Sequence, residues 1–322
     1  MVVVGDLFID QVMTGFTSLP GLGEEAVATN LRREIGGGAA ITGCGLAALG
    51  VPTKVVGVVG KQESEWFRQR LESKGVLPEA LVVHPTEPTA ITVAVSTAND
   101  RAFYTYPGAN VLLPEVLRTA RALMAQARHV HLACILEAAE LGELAQWLHA
   151  QGCTVSVDVG WDESWLANPL TLSALAHVDW FFPNEREAAR MSGLPLATAS
   201  DAQHVLRWFA NQGLPGVALK LGPEGSVALH RGEVVVAPPA CSVQAIDTTG
   251  AGDCFDAGFL AAWLGGEPIQ RCLARGNVCG AFSTRCAGGI EGFPQRMEVE
   301  SELQRMQLPR EAGWKENSKA KS

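Results

Sequence analysis

The feature that most restricts the fold of this chain is an alternation of two hydrophobic periods. Short apolar runs, at Val2–Val4, Lys54–Val58, Val130–Cys134, Thr154–Val157, Trp180–Phe182 and Val217–Leu219, have the length of buried strands. Between them, Ala39–Leu49, Ser64–Ser73, Pro114–Ala127, Leu141–Ala150, Glu185–Met191 and Ala202–Asn211 carry apolar residues at helical spacing. Strands that alternate with helices imply a mostly parallel sheet covered on both faces, an α/β chain of three α/β/α layers. With 322 residues, 47% of them hydrophobic, the chain can bury a core of its own, and no repeat of fixed period divides it.

Two segments interrupt the alternation. Gly15–Ile35 reads as irregular and polar, while Thr89–Ser96 and Arg101–Tyr106 alternate apolar and polar residues around a turn at Thr97-Ala98-Asn99-Asp100. The alternation predicts a hairpin with one exposed face. Together these segments, about 11–35 and 87–110, are expected to form a small β-lid on a single domain spanning 1–312. Residues 313–322, rich in Lys, Ser and Asn, are expected to form a disordered tail.

Charge narrows the partners. A net charge of -9 and a pI near 5.3 give no bulk attraction for nucleic acid or an anionic membrane. An anionic ligand would therefore need a local device: backbone amides, a metal ion or a few placed cations. The eight cysteines form no CxxC pair and sit mostly in apolar runs, which fits reduced thiols and a cytoplasmic setting. Met1 leads directly into Val2-Val3-Val4 without a basic leader, and no apolar run reaches the roughly 20 residues of a membrane span.

The segment richest in chemistry is Asp247-Thr248-Thr249-Gly250-Ala251-Gly252-Asp253, followed by an apolar run of helical period. It predicts a helix beginning at the glycines, so that the amides of Gly250 to Asp253 lack intrahelical partners. With the helix dipole, such a terminus stabilises a phosphate that gains negative charge. Asp253, in the first turn, can either cap the helix or face a substrate.

This string resembles the C-terminal signature of the ribokinase-like (PfkB) kinases, and other motifs of that family follow in order. Gly36-Gly37-Gly38-Ala39-Ala40-Ile41-Thr42-Gly43 resembles its N-terminal signature, Gly108-Ala109-Asn110 its GAN, Asn184-Glu185-Arg186-Glu187 its NxxE motif, and Lys220-Leu221-Gly222-Pro223-Glu224-Gly225 its nucleotide-side turn. The resemblance covers nearly the whole chain. It implies a ribokinase-like fold and phosphoryl transfer from MgATP to a sugar hydroxymethyl group.

It also implies roles. Asp253 would be the catalytic base, with Gly250, Ala251 and Gly252 completing an anion hole. Asn184 and Glu187 would hold magnesium through water, and Asn184, following Pro183, equally fits a helix N-cap. Lys220, Gly222, Gly225 and Asn277 would border the nucleotide, although Asn277 also reads as an ordinary helix residue. Asp247 and Thr249 match the family's monovalent-cation loop, which raises the question of potassium. For the sugar the candidates are Asp10, Asp6, Gly36, Gly37, Thr42, Asn110 and Arg101; Asp6 also fits a plain turn, and Arg101 a solvated position after a hairpin. Family lids often pair between subunits, which suggests a homodimer.

One departure bears on specificity. Many relatives place an Asn that contacts the sugar where this chain has Ile41. A P-loop enzyme is disfavoured because no GxxxxGK[ST] occurs, and a dinucleotide oxidoreductase because the glycines come some 30 residues too late. The alternatives that remain are a nucleoside kinase of the same fold and a non-catalytic sugar-binding regulator, which would not need Asp253 and the glycines.

Overall fold

Valine-rich segments too short for helices build the centre of the molecule. In the computed structural model, which describes residues 1–97 and 101–306, Val2, Val3 and Val4 are each no more than 3% exposed. β-branched residues without polar alternation suit a strand covered on both faces. The strands of the described residues are β1 Val2–Gly5, β2 Phe8–Phe16, β3 Asn30–Gly36, β4 Lys54–Gly60, β5 Leu81–His84, β6 Ala90–Thr97, β7 Arg101–Tyr106, β8 His129–Ala133, β9 Thr154–Val157, β10 Trp180–Phe181, β11 Gly216–Lys220, β12 Ser226–His230 and β13 Glu233–Ala237.

Nine of them form one sheet in the order β13-β12-β11-β10-β9-β8-β1-β4-β5. All neighbours are parallel except β11–β12 and β12–β13, which extend one edge as an antiparallel pair. Successive side chains of a strand point to opposite faces. Val2 and Val4 accordingly join one core with Leu144, Val155 and Phe209, while Val3 joins the other with Ala40, Phe255 and Phe259. Helices cover both faces, as the alternation of periods requires. Among the described residues, no helix is long and apolar enough to cross a membrane.

A second sheet, β3-β2-β6-β7, stands beside the first. It buries Ile9 and Ile35 on one face and Val12, Ala90 and Ala94 on the other, while Leu31, Phe103, Tyr104 and Tyr106 remain exposed. Here the reading of Gly15–Ile35 as irregular needs correction, because Asn30–Gly36 pairs with β2 over its full length. The polar string Asn30 to Glu34 is exposed as an edge strand and so lacks the apolar signal of a buried one. Four other elements also differ from expectation. The helix expected over Pro114–Ala127 is broken at Ala120 into Leu113–Thr119 and Arg121–Met124, and the short strands β5, β12 and β13 had not been assigned. The hairpin tip, the side chain of Arg101 and the tail at 313–322 lie outside the described residues.

Candidate active site

Most of the candidate side chains lie where the parallel strands end. Asp6 follows β1, Ala133 and Cys134 end and follow β8, Asp158 follows β9, Asn184 follows β10, and Lys220 closes β11. Ligands in open α/β sheets bind at this carboxyl edge. Two clefts occupy it. The first, about 620 Å³, is lined on one side by Asp6, Phe8 and Gly38, and on the other by Asp158, Glu187, Lys220 and Asp253. The second, about 550 Å³, has Pro223, Gly225, Pro239, Val243, Phe255 and Asn277 in its walls. Lys220, Gly222, Thr248, Ala251 and Gly252 belong to both.

The helix Ala251–Leu264 starts at this seam. Gly250 caps it with φ of 71°, a left-handed conformation in which a Cβ would also press on Ile41 and Gly289. The amide of Ala251 donates to the Thr248 carbonyl at 3.2 Å and that of Cys254 to Gly250 at 2.9 Å. The amides of Gly252 and Asp253 bond to no other backbone group among the described residues, and the Asp253 amide faces its own carboxylate. Of the amides expected in the anion hole, that of Ala251 is already engaged.

Asp253 lines the first cleft, and its Oδ1 would stand 3.0 Å from a Cβ on Gly38. Burial, the Asp158 carboxylate and Asp10 push its pKa up to about 7, against the opposing pull of Lys220. Burial alone raises Asp6 to about 6. Asp10 also reaches about 6, by burial and then by the charges of Asp247 and Glu34. Asp10 sits on β2, 7% exposed, beside Gly36, where a Cβ would overlap its carboxylate. No described residue donates a hydrogen bond to the carboxylates of Asp6 or Asp10, so both are suited to donors brought by a ligand.

Lys220 is the only cationic side chain among the described residues lining either cleft. Its Nζ donates to Asp158 Oδ2 at 2.7 Å and Asp256 Oδ1 at 3.4 Å. Burial disfavours its charge, but Asp158, Asp256 and Glu187 outweigh that and hold its pKa above the ordinary lysine range. Asp158 and Asp256 were not singled out in the sequence. The available signals were that Asp256 lies three residues beyond Asp253 on one helix face, and that Asp158 immediately follows a strand.

Asn184 and Glu187 form a reciprocal capping box. The Asn184 amide donates to Glu187 Oε2 at 2.9 Å, and the Glu187 amide to Asn184 Oδ1 at 3.0 Å. Both also line the first cleft, where Asp6, Asp158, Glu185, Glu187 and Asp253 face the single ammonium of Lys220. That excess of carboxylates suits a divalent cation. No three metal-ligating side chains cluster among the described residues.

Two expected sugar contacts have their polar groups engaged elsewhere. Thr42 donates to the Asp253 carbonyl at 3.3 Å, and Asn110 clasps the Leu7 backbone, accepting from its amide at 3.2 Å and donating to its carbonyl at 3.1 Å. Gly37 turns with φ of 90° over the Asp6 backbone. Asp247 is braced in its loop, one oxygen accepting from the Thr249 amide and hydroxyl and the other from the Gly288 amide. Asn277 borders the second cleft and donates to the Pro238 carbonyl at 2.8 Å.

Residues 1–296 match the family model described as pfkB family carbohydrate kinase. The chain belongs to this family of ATP-dependent carbohydrate kinases. Among its relatives, an ATP-dependent ribose-1-phosphate kinase of Halopiger xanaduensis is 31% identical over 82% of this chain and 85% of the relative. A nucleoside kinase of Methanothermobacter thermautotrophicus is 30% identical over 84% of each. The solved structure of Arabidopsis thaliana ribokinase complexed with ribose and ATP superimposes with a TM-score of 0.83 at 26% identity, covering 96% of this chain and 98% of that one.

Proposed function

We propose that this PfkB-family chain transfers the terminal phosphoryl group of MgATP to a hydroxymethyl group of a neutral sugar, with Asp253 as general base. The observation that carries this reading is the position of Asp253, a half-buried carboxylate at a helix N-terminus beside the seam between an acidic cleft and an apolar one, with a pKa near 7. A base is most effective when its pKa lies near the working pH. The sugar occupies the first cleft, with Asp6 in its wall accepting hydrogen bonds from its hydroxyls and Asp10, behind that wall and close enough to act on the charge of Asp253, as a second acceptor, and the adenine lies in the second against Phe255, Val243 and Asn277.

As the sugar oxygen attacks, Asp253 takes its proton, and the amides of Gly252 and Asp253 stabilise the charge on the phosphoryl group. Lys220 adds the one protein cation at the seam. Asn184 and Glu187 would hold magnesium through water, which would supply positive charge to the phosphates. Gly225 lets the backbone approach the nucleotide: its φ is 93° and a Cβ would meet Pro239 N at 2.8 Å.

A free sugar is favoured over a sugar phosphate, because Lys220 is the only cation among the described residues of either cleft and it already faces the phosphoryl path. A second reading, a nucleoside acceptor, draws on the apolar side of the first cleft, where Phe8, Ile135 and half-exposed Trp161 could receive a base. Sugar- or nucleoside-dependent ADP formation across a panel with MgATP tests both. Turnover of sugar phosphates alone would overturn the first reading, and turnover of nucleosides alone would establish the second.

A further inference from the structure

The three groups beneath the anion hole form an arrangement that the base and the helix terminus do not explain. Lys220 is 12% exposed, Asp158 13% and Asp256 fully buried. Buried ion pairs carry a heavy desolvation cost, so such a cluster is weak evidence for stability and better evidence for a task. An ammonium has three donors. One is directed at Asp158 and a second at Asp256, and the third has no acceptor among the described residues. The ammonium lies 3.3 Å from where a Cβ on Gly252 would stand, which is the seam of the two clefts.

We propose that Asp158 and Asp256 are positioning residues that clamp the Lys220 ammonium from two sides and aim its remaining donor at the phosphoryl group in flight. The inference rests on the kinase reading above. A lysine on its flexible stem loses on the order of 2 kcal/mol of rotamer freedom when fixed. Two carboxyl groups on separate elements, Asp158 following β9 and Asp256, whose pKa burial holds well above the ordinary range, in the helix that bears Asp253, remove that freedom before substrate arrives. A preorganised charge of this kind costs no reorganisation at the moment of transfer. The placement of Asp256 one helical turn beyond Asp253 ties the clamp to the base, so that the cation and the base keep a constant separation.

Lys220→Met, Asp158→Asn and Asp256→Val, with the double variant Lys220→Met/Asp256→Val, test the clamp in the full chain. Lys220→Met should lower kcat by about 10²- to 10³-fold, the scale of losing one preorganised donor. Asp158→Asn and Asp256→Val should each lower it by about 10- to 100-fold, the scale seen when the partner behind a working group is removed. The sugar KM should stay within about twofold, because the clamp acts on the transferred group and not on sugar binding. In the Lys220→Met background, Asp256→Val should have no further effect on kcat, since it acts through the lysine.

A full additional loss in that background, or variants with wild-type kcat and only a lower melting temperature, would overturn the clamp. If Asp256→Val does not fold, Asp158→Asn and its double variant with Lys220→Met give the same readout from outside the helix. A wild-type chain that phosphorylates no sugar or nucleoside breaks the kinase reading itself. An active chain whose variants match it breaks only the clamp.

Discussion

The two clefts that meet at Lys220 are built on opposite principles. The nucleotide-side cleft is walled by prolines, small residues, Val243 and Phe255, and Lys220 is its only charged lining side chain. The other holds five carboxylates and the same lysine. A planar base is recognised by burial and backbone shape, whereas hydroxyls, a metal ion and a proton in transit require charged acceptors. The shared chemistry of the family therefore rests on backbone geometry that glycines specify. The choice of acceptor rests on side chains, and here Ile41 is buried against Gly250 and Gly289 and offers no polar group.

The largest effect should come from the base. Asp253→Asn keeps the side chain's shape and its capacity to cap a helix but cannot take a proton as a carboxylate does. It should lower kcat by about 10²- to 10⁴-fold, with sugar and MgATP affinities little changed, because proton transfer occurs only in the transition state. Steady-state kinetics of the folded variant checks this, and near-normal turnover would reduce Asp253 to a cap.

The same carboxyl predicts a pH dependence. Its folded pKa of about 7 lies above the ordinary 3.8, so the ionised form that acts as base predominates only above pH 7. The kcat/KM of the wild type should rise about tenfold per unit below that midpoint and level off above it. Stability should respond in the reverse sense. The folded state binds the extra proton between the two values, so the stabilising contribution is full below pH 3.8 and is lost as pH rises through about 7.

The nucleotide side was the more legible of the two in sequence because its demands are local. The turn at Gly222 and Gly225, and the small residues Ala251 and Gly252 that open an apolar helix, can be read from adjacent letters. The central sheet was legible for a similar reason, since runs such as Val2–Val4 carry burial on both faces in their composition. The rest depended on contacts across the fold. Thr42 bonds to Asp253 from 211 positions away and Asn110 to Leu7 from 103, contacts that adjacent letters do not announce. Asp158 and Lys220, 62 positions apart, become partners only when β9 and β11 stand on either side of β10.

On the acidic side, Asp10 provides a smaller and more specific test. A hydrogen bond to a charged group contributes about 1.5–3 kcal/mol, so Asp10→Asn should raise the sugar KM by roughly 10- to 100-fold while leaving the MgATP KM alone. Asp10 also holds the Asp253 pKa up, so the variant should move the kcat/KM midpoint below 7. A sugar KM that does not move, together with an unshifted midpoint, would assign the sugar contact to Asp6 instead.

The smallest effect belongs to the apolar cleft, and it separates the two clefts most sharply. Asn277 is 7% exposed, borders that cleft and donates to the Pro238 carbonyl at 2.8 Å, fixing the 238–243 loop that forms one wall. Removing one such hydrogen bond costs about 1 kcal/mol, which corresponds to roughly a fivefold change in affinity at 1.4 kcal/mol per tenfold. Asn277→Ala should therefore raise the MgATP KM by about fivefold, with kcat, the sugar KM and the pH midpoint all unchanged, because neither the base nor the clamp contacts this residue. Titration of MgATP at saturating sugar measures it directly. A change in sugar KM of equal size would mean that the two clefts are not independent, and that the wall carrying Asn277 also shapes the site where the sugar binds.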